Sequence, residues 1–381
     1  MGRIRLTLET LLSQIAPLQT APSQIASPTS NVTTRWPAEW ESKDAMLLTW
    51  PENHETWPGE RLQRVEGVYV ELIRAMASRQ RVLCLVSSAV VREVADRLVR
   101  QSLEPGTTLD LEWIVVPTND LWVRDYGPIG VWQGDQPLWL DWTYNAWGGK
   151  YPPFELDNAI PTSLAGLYGA RVTSFETVLE GGAVEGNGQG VMLTTKAVLQ
   201  NPTRNPGLSQ KSLEQILQEA FGVSHICWFD AGLKGDDTDG HVDDFARFVR
   251  EEVVLIAQDV SNGPNEEVLR ANKETLNSFA QELRAQQGFD LDIVELPMPR
   301  CEIEGTTVDG SSVVPASYAN FVFGDYTVYL PLYDPKTDRE ARAIIQELLP
   351  EMDIVGIPCH DLVWGQGSIH CVTQNLIGLS E

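Results

Sequence analysis

A free thiol, an imidazole and several carboxylates stand in short glycine-containing stretches, and these are side chains from which hydrolytic sites are built. Residues 365–371 (GQGSIHC) place Cys371 behind Gly365 and Gly367, where backbone can come close to a ligand. The apolar–polar run of residues 369–377 is expected as a strand, with the thiol at or just after a tight turn. A nucleophilic cysteine needs partial exposure and a route to thiolate. Taken alone, Cys371 reads as a core cysteine, as most free cysteines are; the other stretches give it chemical company.

Residues 119–128 (NDLWVRDYGP) follow an expected strand and gather Trp122, Arg124 and Asp125 into a loop closed by Gly-Pro, the kind of position where site residues collect. A charged surface turn would look the same. Glu180 stands before Gly181 and Gly182; by itself this is a solvated glutamate at a turn. Residues 235–244 (GDDTDGHVDD) are the densest acidic stretch. A calcium loop counted from Asp236 would want glycine sixth and glutamate twelfth, but His241 and Arg247 stand there. A zinc site would want a second His or Cys at helical spacing, and none follows. If residues 241–243 are extended, His241 and Asp243 point the same way, which puts a general base and a carboxylate into one cavity. Thiol, imidazole and the carboxylates of Asp125, Glu180 and Asp243 together suit one reaction. Carboxylates grip the N–H groups of a planar guanidinium, a thiolate attacks its central carbon, and the histidine protonates departing ammonia and then activates water.

The elements that must position these groups read as alternating strands and helices. Strands are expected at residues 46–50, 81–86, 111–116, 137–142, 175–179, 191–195, 253–258, 326–330 and 354–357. Helices are expected at 62–79, 90–103, 209–221, 264–287 and 338–348, the fourth opened by proline and closed by Gly288. This makes about five helix-plus-strand groups without a strict sequence repeat. Residues 1–35, rich in Ser, Thr, Pro and Gln, are expected as a flexible tail with a short helix at 6–15; residues 36–381 form one domain. The net charge of −25 argues against nucleic acid and is compatible with a cationic substrate. No apolar run approaches a membrane span. Cys84, Cys227, Cys301, Cys359 and Cys371 form no CxxC or metal-type pair, so a reducing, cytoplasmic setting is expected.

Taken together and in order, residues 36–41 (WPAEWE), 122–128 (WVRDYGP), 141–150 (DWTYNAWGGK), 180–182 (EGG), 201–206 (NPTRNP), 235–243 (GDDTDGHVD), 315–321 (PASYANF) and 365–371 (GQGSIHC) resemble the agmatine deiminase family of the guanidine-modifying superfamily. The resemblance covers nearly all of the chain from residue 36. It implies a five-bladed α/β propeller (pentein) of ββαβ-type units, with no metal or organic cofactor. It implies Cys371 as nucleophile forming an amidino-cysteine, His241 as general acid/base and Glu180 as its carboxylate partner. Asp125 and Asp243 become the guanidinium clamp and Trp122 a cover for the substrate, with Gly367 beside it. The implied reaction is agmatine and water to N-carbamoylputrescine and ammonia, a step toward putrescine. Tyr126 replaces a frequent threonine, and GQGS a frequent GGGN, so recognition of the substrate tail stays open between agmatine and free or peptidyl arginine. Arg124 would serve either as partner for a substrate carboxylate or as a structural ion-pair residue. A homo-oligomer stays open. So do two readings of other classes: a metal-dependent hydrolase on the Asp236–Asp244 run, and a non-catalytic propeller that only binds a partner.

Overall fold

The computed structural model describes residues 33–259 and 263–379; the tail and short helix expected before residue 33 lie outside them. Thr34–Arg35 already pairs with Ile129–Gln133, so regular pairing starts ahead of Trp36.

Among the described residues the strands fall into five sheets. Four share one plan in chain order: an antiparallel pair, a helix, and a third strand laid parallel on the second. Ile129–Gln133, Gln136–Thr143 and Val172–Val178 use the helix Ile160–Tyr168. Val184–Gly186, Val191–Thr195 and His225–Phe229 use Gln210–Phe221. Ala246–Arg250, Val253–Gln258 and Asp292–Pro297 use Glu266–Gln287. Val322–Gly324, Thr327–Leu332 and Asp353–Pro358 use Pro335–Leu348. The remaining sheet joins distant parts of the chain. Ala45–Thr49, Val82–Val86 and Leu111–Val115 run parallel, and Gln374–Leu376 lies antiparallel on Ala45–Thr49.

Local chemistry accounts for these elements. Ala45–Thr49 and Val82–Val86 are buried at every residue, as expected of parallel strands covered on both faces. The helix Arg61–Ala77 buries Val65, Val68, Tyr69, Leu72, Ile73 and Met76, a stripe at helical spacing that tolerates Gly67. Ser209 caps Gln210–Phe221 by accepting from Ser212 N, and Gly222 ends it with a left-handed φ of 70°. No helix among the described residues is long and apolar enough to cross a membrane.

Where the sheets meet, charged side chains replace apolar packing. Glu39, its side chain 10% exposed, accepts from Arg124 Nη2 at 2.9 Å, from Arg247 Nη2 at 2.5 Å and from His370 Nε2 at 2.9 Å. Arg247 is fully buried; it also donates to Glu185 Oε2 at 2.9 Å and to the carbonyls of Ala319 and Phe321 at 3.1 and 2.6 Å. Arg124 Nε reaches the His370 carbonyl at 3.2 Å. Glu39 thus draws Arg124, Arg247 and His370 together directly, while Glu185, in the strand Val184–Gly186, and Phe321, just before Val322–Gly324, join the cluster through Arg247. Burial alone would push Glu39 up, but Arg247, His370 and Arg124 outweigh it and hold Glu39 well below 4.5. A depressed carboxyl stabilises the fold above its unfolded value and loses that contribution as pH falls toward the folded one.

Glu39→Ala should therefore cost about 3–5 kcal/mol at neutral pH in denaturant unfolding, because it leaves the buried Arg124 without a carboxylate and Arg247 with Glu185 alone. The gap to the parent should narrow as the pH drops below about 4.5. A loss under about 1 kcal/mol at pH 7 would show that the cluster does not hold the sheets together.

Candidate functional site

The thiol sits in a turn, not a strand. Of the run 369–377 only Gln374–Leu376 pairs, so the expected strand is shorter and starts after Cys371. The apolar residues ahead of it are buried because the turn itself is enclosed: Ile369 and Val372 are fully covered. Arg124 N donates to the Cys371 carbonyl at 3.2 Å, and Thr373 Oγ1 donates to Ile369 O at 2.9 Å. Gly367 is needed for close approach, since a Cβ there would run into the Trp122 ring and come within 3.1 Å of Cys371 Cβ.

Asp125 lies on a single helical turn, Val123–Tyr126, and accepts from Gly182 N at 3.0 Å and Trp147 Nε1 at 2.9 Å. Trp147 reaches it from left-handed backbone, φ 53°, uncommon for a residue with a side chain. Glu180 stands just before the short turn Gly181–Ala183, with Oε1 taken by Arg204 Nε at 2.6 Å. His241 and Asp243 do not lie on an extended segment: Val242–Asp244 is a 3-10 turn. The turn still brings them together, for a Cβ on Gly182 would meet His241 Nδ1 at 2.6 Å and the Asp125 and Asp243 carboxylates at 3.0 Å each. That close packing is what the second glycine of the Glu180 stretch permits.

Around this point His241 Nδ1 is 3.7 Å from Asp125 Oδ1, and Cys371 Sγ is 3.8 Å from Asp243 Oδ2. Among the described residues His241 Nδ1 and Nε2, Glu180 Oε2 and Asp243 Oδ1 are buried without a hydrogen-bond partner. Such atoms are expensive in a folded protein. The electrostatics are lopsided. Burial, then Asp243, Asp244 and Asp125, push the Cys371 thiol well above its ordinary value. Burial raises Asp125 to about 6 although His241 opposes it. Asp243 is held low: burial is outweighed chiefly by the hydrogen bond and charge of His370, whose Nδ1 lies 2.6 Å from Asp243 Oδ2. For His241 burial is outweighed by Asp125, Asp243, Glu180 and Asp236, so its pKa is raised. These shifts favour the neutral thiol and the protonated imidazole among the buried carboxylates.

A cavity of about 570 Å³ opens onto Cys371, Asp125, Trp122 and Gly367, while His241, Glu180 and Asp243 lie behind that lining. Trp122 packs against Trp57 with ring centres 6.1 Å apart. Further out the wall carries Glu52, Asp120, Asp157, Asp237 and Asp309. Its one lysine, Lys150, is engaged by Asp239 at 2.9 Å and by the Asp237 carbonyl. Arg124 does not line the cavity. Its guanidinium is spent on Glu39 and the His370 carbonyl, which corrects the expectation that it meets substrate and leaves the structural ion-pair reading. Tyr126, the departure from threonine, is also off the cavity wall, bonded to Thr49 Oγ1 at 2.8 Å and the Asp120 carbonyl at 2.7 Å.

The acidic run disperses rather than converging on an ion. Asp236 accepts from Thr238 N and His241 N, Asp239 pairs with Arg204 and Lys150, and Asp237 with Lys150 and Tyr151. Asp243, Asp244 and Cys371 do place three possible metal donors within 4.8 Å of one another. Yet Asp243 Oδ2 belongs to His370 and Asp244 Oδ1 to Asn320, at 2.9 Å.

Glu39, Asn320, Asp244, Arg204, Trp147 and His370 were not singled out from sequence. Most lie in the matched stretches, but their partners are dozens to hundreds of residues away, beyond any local pattern.

Residues 35–376 match the model of the Porphyromonas-type peptidyl-arginine deiminase family. The agmatine deiminase of Ectopseudomonas mendocina is 32% identical, over 89% of this chain and 94% of that protein. Among solved structures, agmatine deiminase of Enterococcus faecalis superposes with a TM-score of 0.80 at 28% identity, covering 90% of this chain and 96% of that one. A cysteine-to-serine variant of C. jejuni agmatine deiminase with substrate bound gives 0.79, also at 28% identity and the same coverage.

Gly182→Ala should lower activity about 100-fold through misplacement of His241 and the two aspartates. Assays beside melting curves would check this; a variant with parent rates would mean that these groups need not meet at Gly182.

Proposed function

The chain belongs to the Porphyromonas-type peptidyl-arginine deiminase family, within the pentein superfamily, and from that premise we propose that it is a guanidine deiminase acting on agmatine. The five sheets are read as the blades of a propeller, and residues 36–381 as its single catalytic domain. The observation that carries the reading is the set of buried polar atoms without partners among the described residues, Glu180 Oε2, Asp243 Oδ1 and the His241 ring nitrogens, with Asp243 3.8 Å from the Cys371 thiol through its other oxygen. Carboxylate oxygens so placed suit the N–H groups of a planar cation.

The mechanism follows from the charges. A guanidinium seated against Asp125, Asp243 and Glu180 offsets the carboxylate charge that, together with burial, keeps Cys371 protonated, so the thiol loses its proton to solvent where its target lies. The thiolate adds to the central carbon, and the protonated His241 passes its proton to the departing nitrogen, which leaves as ammonia. An amidino-cysteine remains. Neutral His241 then takes a proton from water as that water attacks the same carbon; the C–S bond breaks, the remaining hydroxyl proton passes to the departing sulfur to restore the thiol, and the product is N-carbamoylputrescine. The carboxylates along the cavity wall, with Lys150 already paired, favour a substrate tail that ends in ammonium over one that ends in carboxylate.

Ammonia release and product mass, measured with agmatine, arginine and a blocked arginine peptide side by side, should show agmatine preferred and N-carbamoylputrescine formed. Turnover of the arginine compounds alone would move the specificity; no turnover of any would overturn the reading. Cys371→Ser should cut kcat by at least about 10⁴-fold with an unchanged melting temperature; a parent-like rate would exclude the covalent route.

The pH dependence has a definite sign. His241 acts as an acid and its pKa is raised above 6.5 in the unliganded protein, so kcat/KM should persist past pH 6.5 and fall only as the pH rises through the raised value. A fall centred below 6.5 would contradict the role given to His241.

A further inference from the structure

Cys371 Sγ is surrounded by groups that oppose its ionisation, yet the reaction above needs a thiolate twice, as attacking group and as leaving group. Asn320 is the side chain that touches the sulfur and favours the charged form. Fully buried, it directs Nδ2 to Cys371 Sγ at 3.2 Å and to Asp244 Oδ1 at 2.9 Å. Its Oδ1 accepts from His370 N at 3.0 Å and faces Cys371 N and Sγ at 3.5 Å each. These partners fix the amide's direction. A flipped amide would set its N–H groups against the His370 backbone N–H. Asp244 is 1% exposed, has no part in the proposed reaction, and would make a poor neighbour for a thiolate if it were charged. Burial, then Asp236, Asp243 and Asp125, push it well above the usual carboxylate range, which lessens the negative charge that comes with the oriented donor.

We propose that Asn320 is a further catalytic residue. Its Nδ2–H, aimed by Asp244 and the His370 backbone, donates to Cys371 Sγ and stabilises the thiolate as it forms, attacks and departs. This rests on the deiminase reading for its consequence in turnover, but the contact on sulfur can be tested without any guanidine. The Ser368 backbone also bonds the sulfur, so removing Asn320 weakens rather than abolishes thiolate formation.

The test uses Asn320→Ala in the full chain. Iodoacetamide alkylation of Cys371 at fixed pH, followed by peptide mass with Cys371→Ser as blank, reads the thiolate. A rise of one pKa unit cuts the thiolate about 10-fold, and the gain in nucleophilicity returns about 3-fold, so alkylation should slow roughly 3-fold. With agmatine, kcat should fall about 100-fold and KM change less than about 3-fold, as when a donor to a developing anion is removed. A lowered kcat with unaltered alkylation would mean that Asn320 only holds the His370 backbone, and would overturn the proposal; parent values in both would do so too. Should Asn320→Ala fail to fold, the parent protein decides. The Asn320 side-chain amide proton should shift downfield as the pH carries the thiol to thiolate, and should not do so in Cys371→Ser. No shift through thiol ionisation would overturn the assignment. Neither the alkylation nor the amide measurement uses a guanidine, so absence of agmatine turnover would leave both readable.

Discussion

A carboxylate held out of water between two guanidinium groups and an imidazole ring is stable only when all of them arrive, and Glu39 imposes that condition on the whole molecule. Its partners are close in sequence to the residues of the site. Arg124 precedes Asp125, His370 precedes Cys371, Glu185 follows Glu180 by five residues, and Arg247 follows Asp243 by four. Docking the ion cluster therefore sets the register of four chain segments at once. Their reactive neighbours are delivered to the opposite side of the same backbone. The geometry of the thiol, the imidazole and the carboxylates is inherited from an interaction that none of them dominates.

The site itself works against stability. Asp125, Asp243, Asp244 and Glu180 are buried within reach of one another, and several polar atoms there have no partner among the described residues. Apolar packing at that point would be cheaper by several kcal/mol. Natural chains keep such an arrangement where function requires it and offset it elsewhere. Here the offset lies in the ring of ion pairs behind the site, in Arg204 against Glu180, and in fully buried strands such as Val82–Val86.

Legibility in the sequence followed the length of each signal. The long amphipathic helices and the continuous apolar strands announced themselves within a few residues of their bounds, because one buried face repeats at a fixed period. Strands of three residues, Val184–Gly186, Val322–Gly324 and Gln374–Leu376, carry too little period to read, although they complete three of the sheets. The 369–377 run misled because enclosure of a turn buries residues as thoroughly as a sheet does. His241 and Asp243 approach each other at Gly182 through a 3-10 turn and not along an extended segment, and neither is on the cavity wall. Chemistry was legible where a reactive side chain stood in a distinctive stretch, as with Cys371 or His241. It was illegible where a plain asparagine or glutamate acts through partners far along the chain: Asn320 pairs with Asp244 and Cys371, and Glu39 with residues as distant as His370.

The pairing of Gln374–Leu376 with Ala45–Thr49 has a temporal meaning. A chain made from its N-terminus can assemble most of its sheets while the strand that completes the earliest one is still being synthesised. That strand trails Cys371 by three residues, so the turn that carries the thiol is anchored at its far end only when the latest strand has paired with the earliest sheet. Contacts of such sequence separation form slowly; the pairing that completes this sheet also seats the thiol's turn.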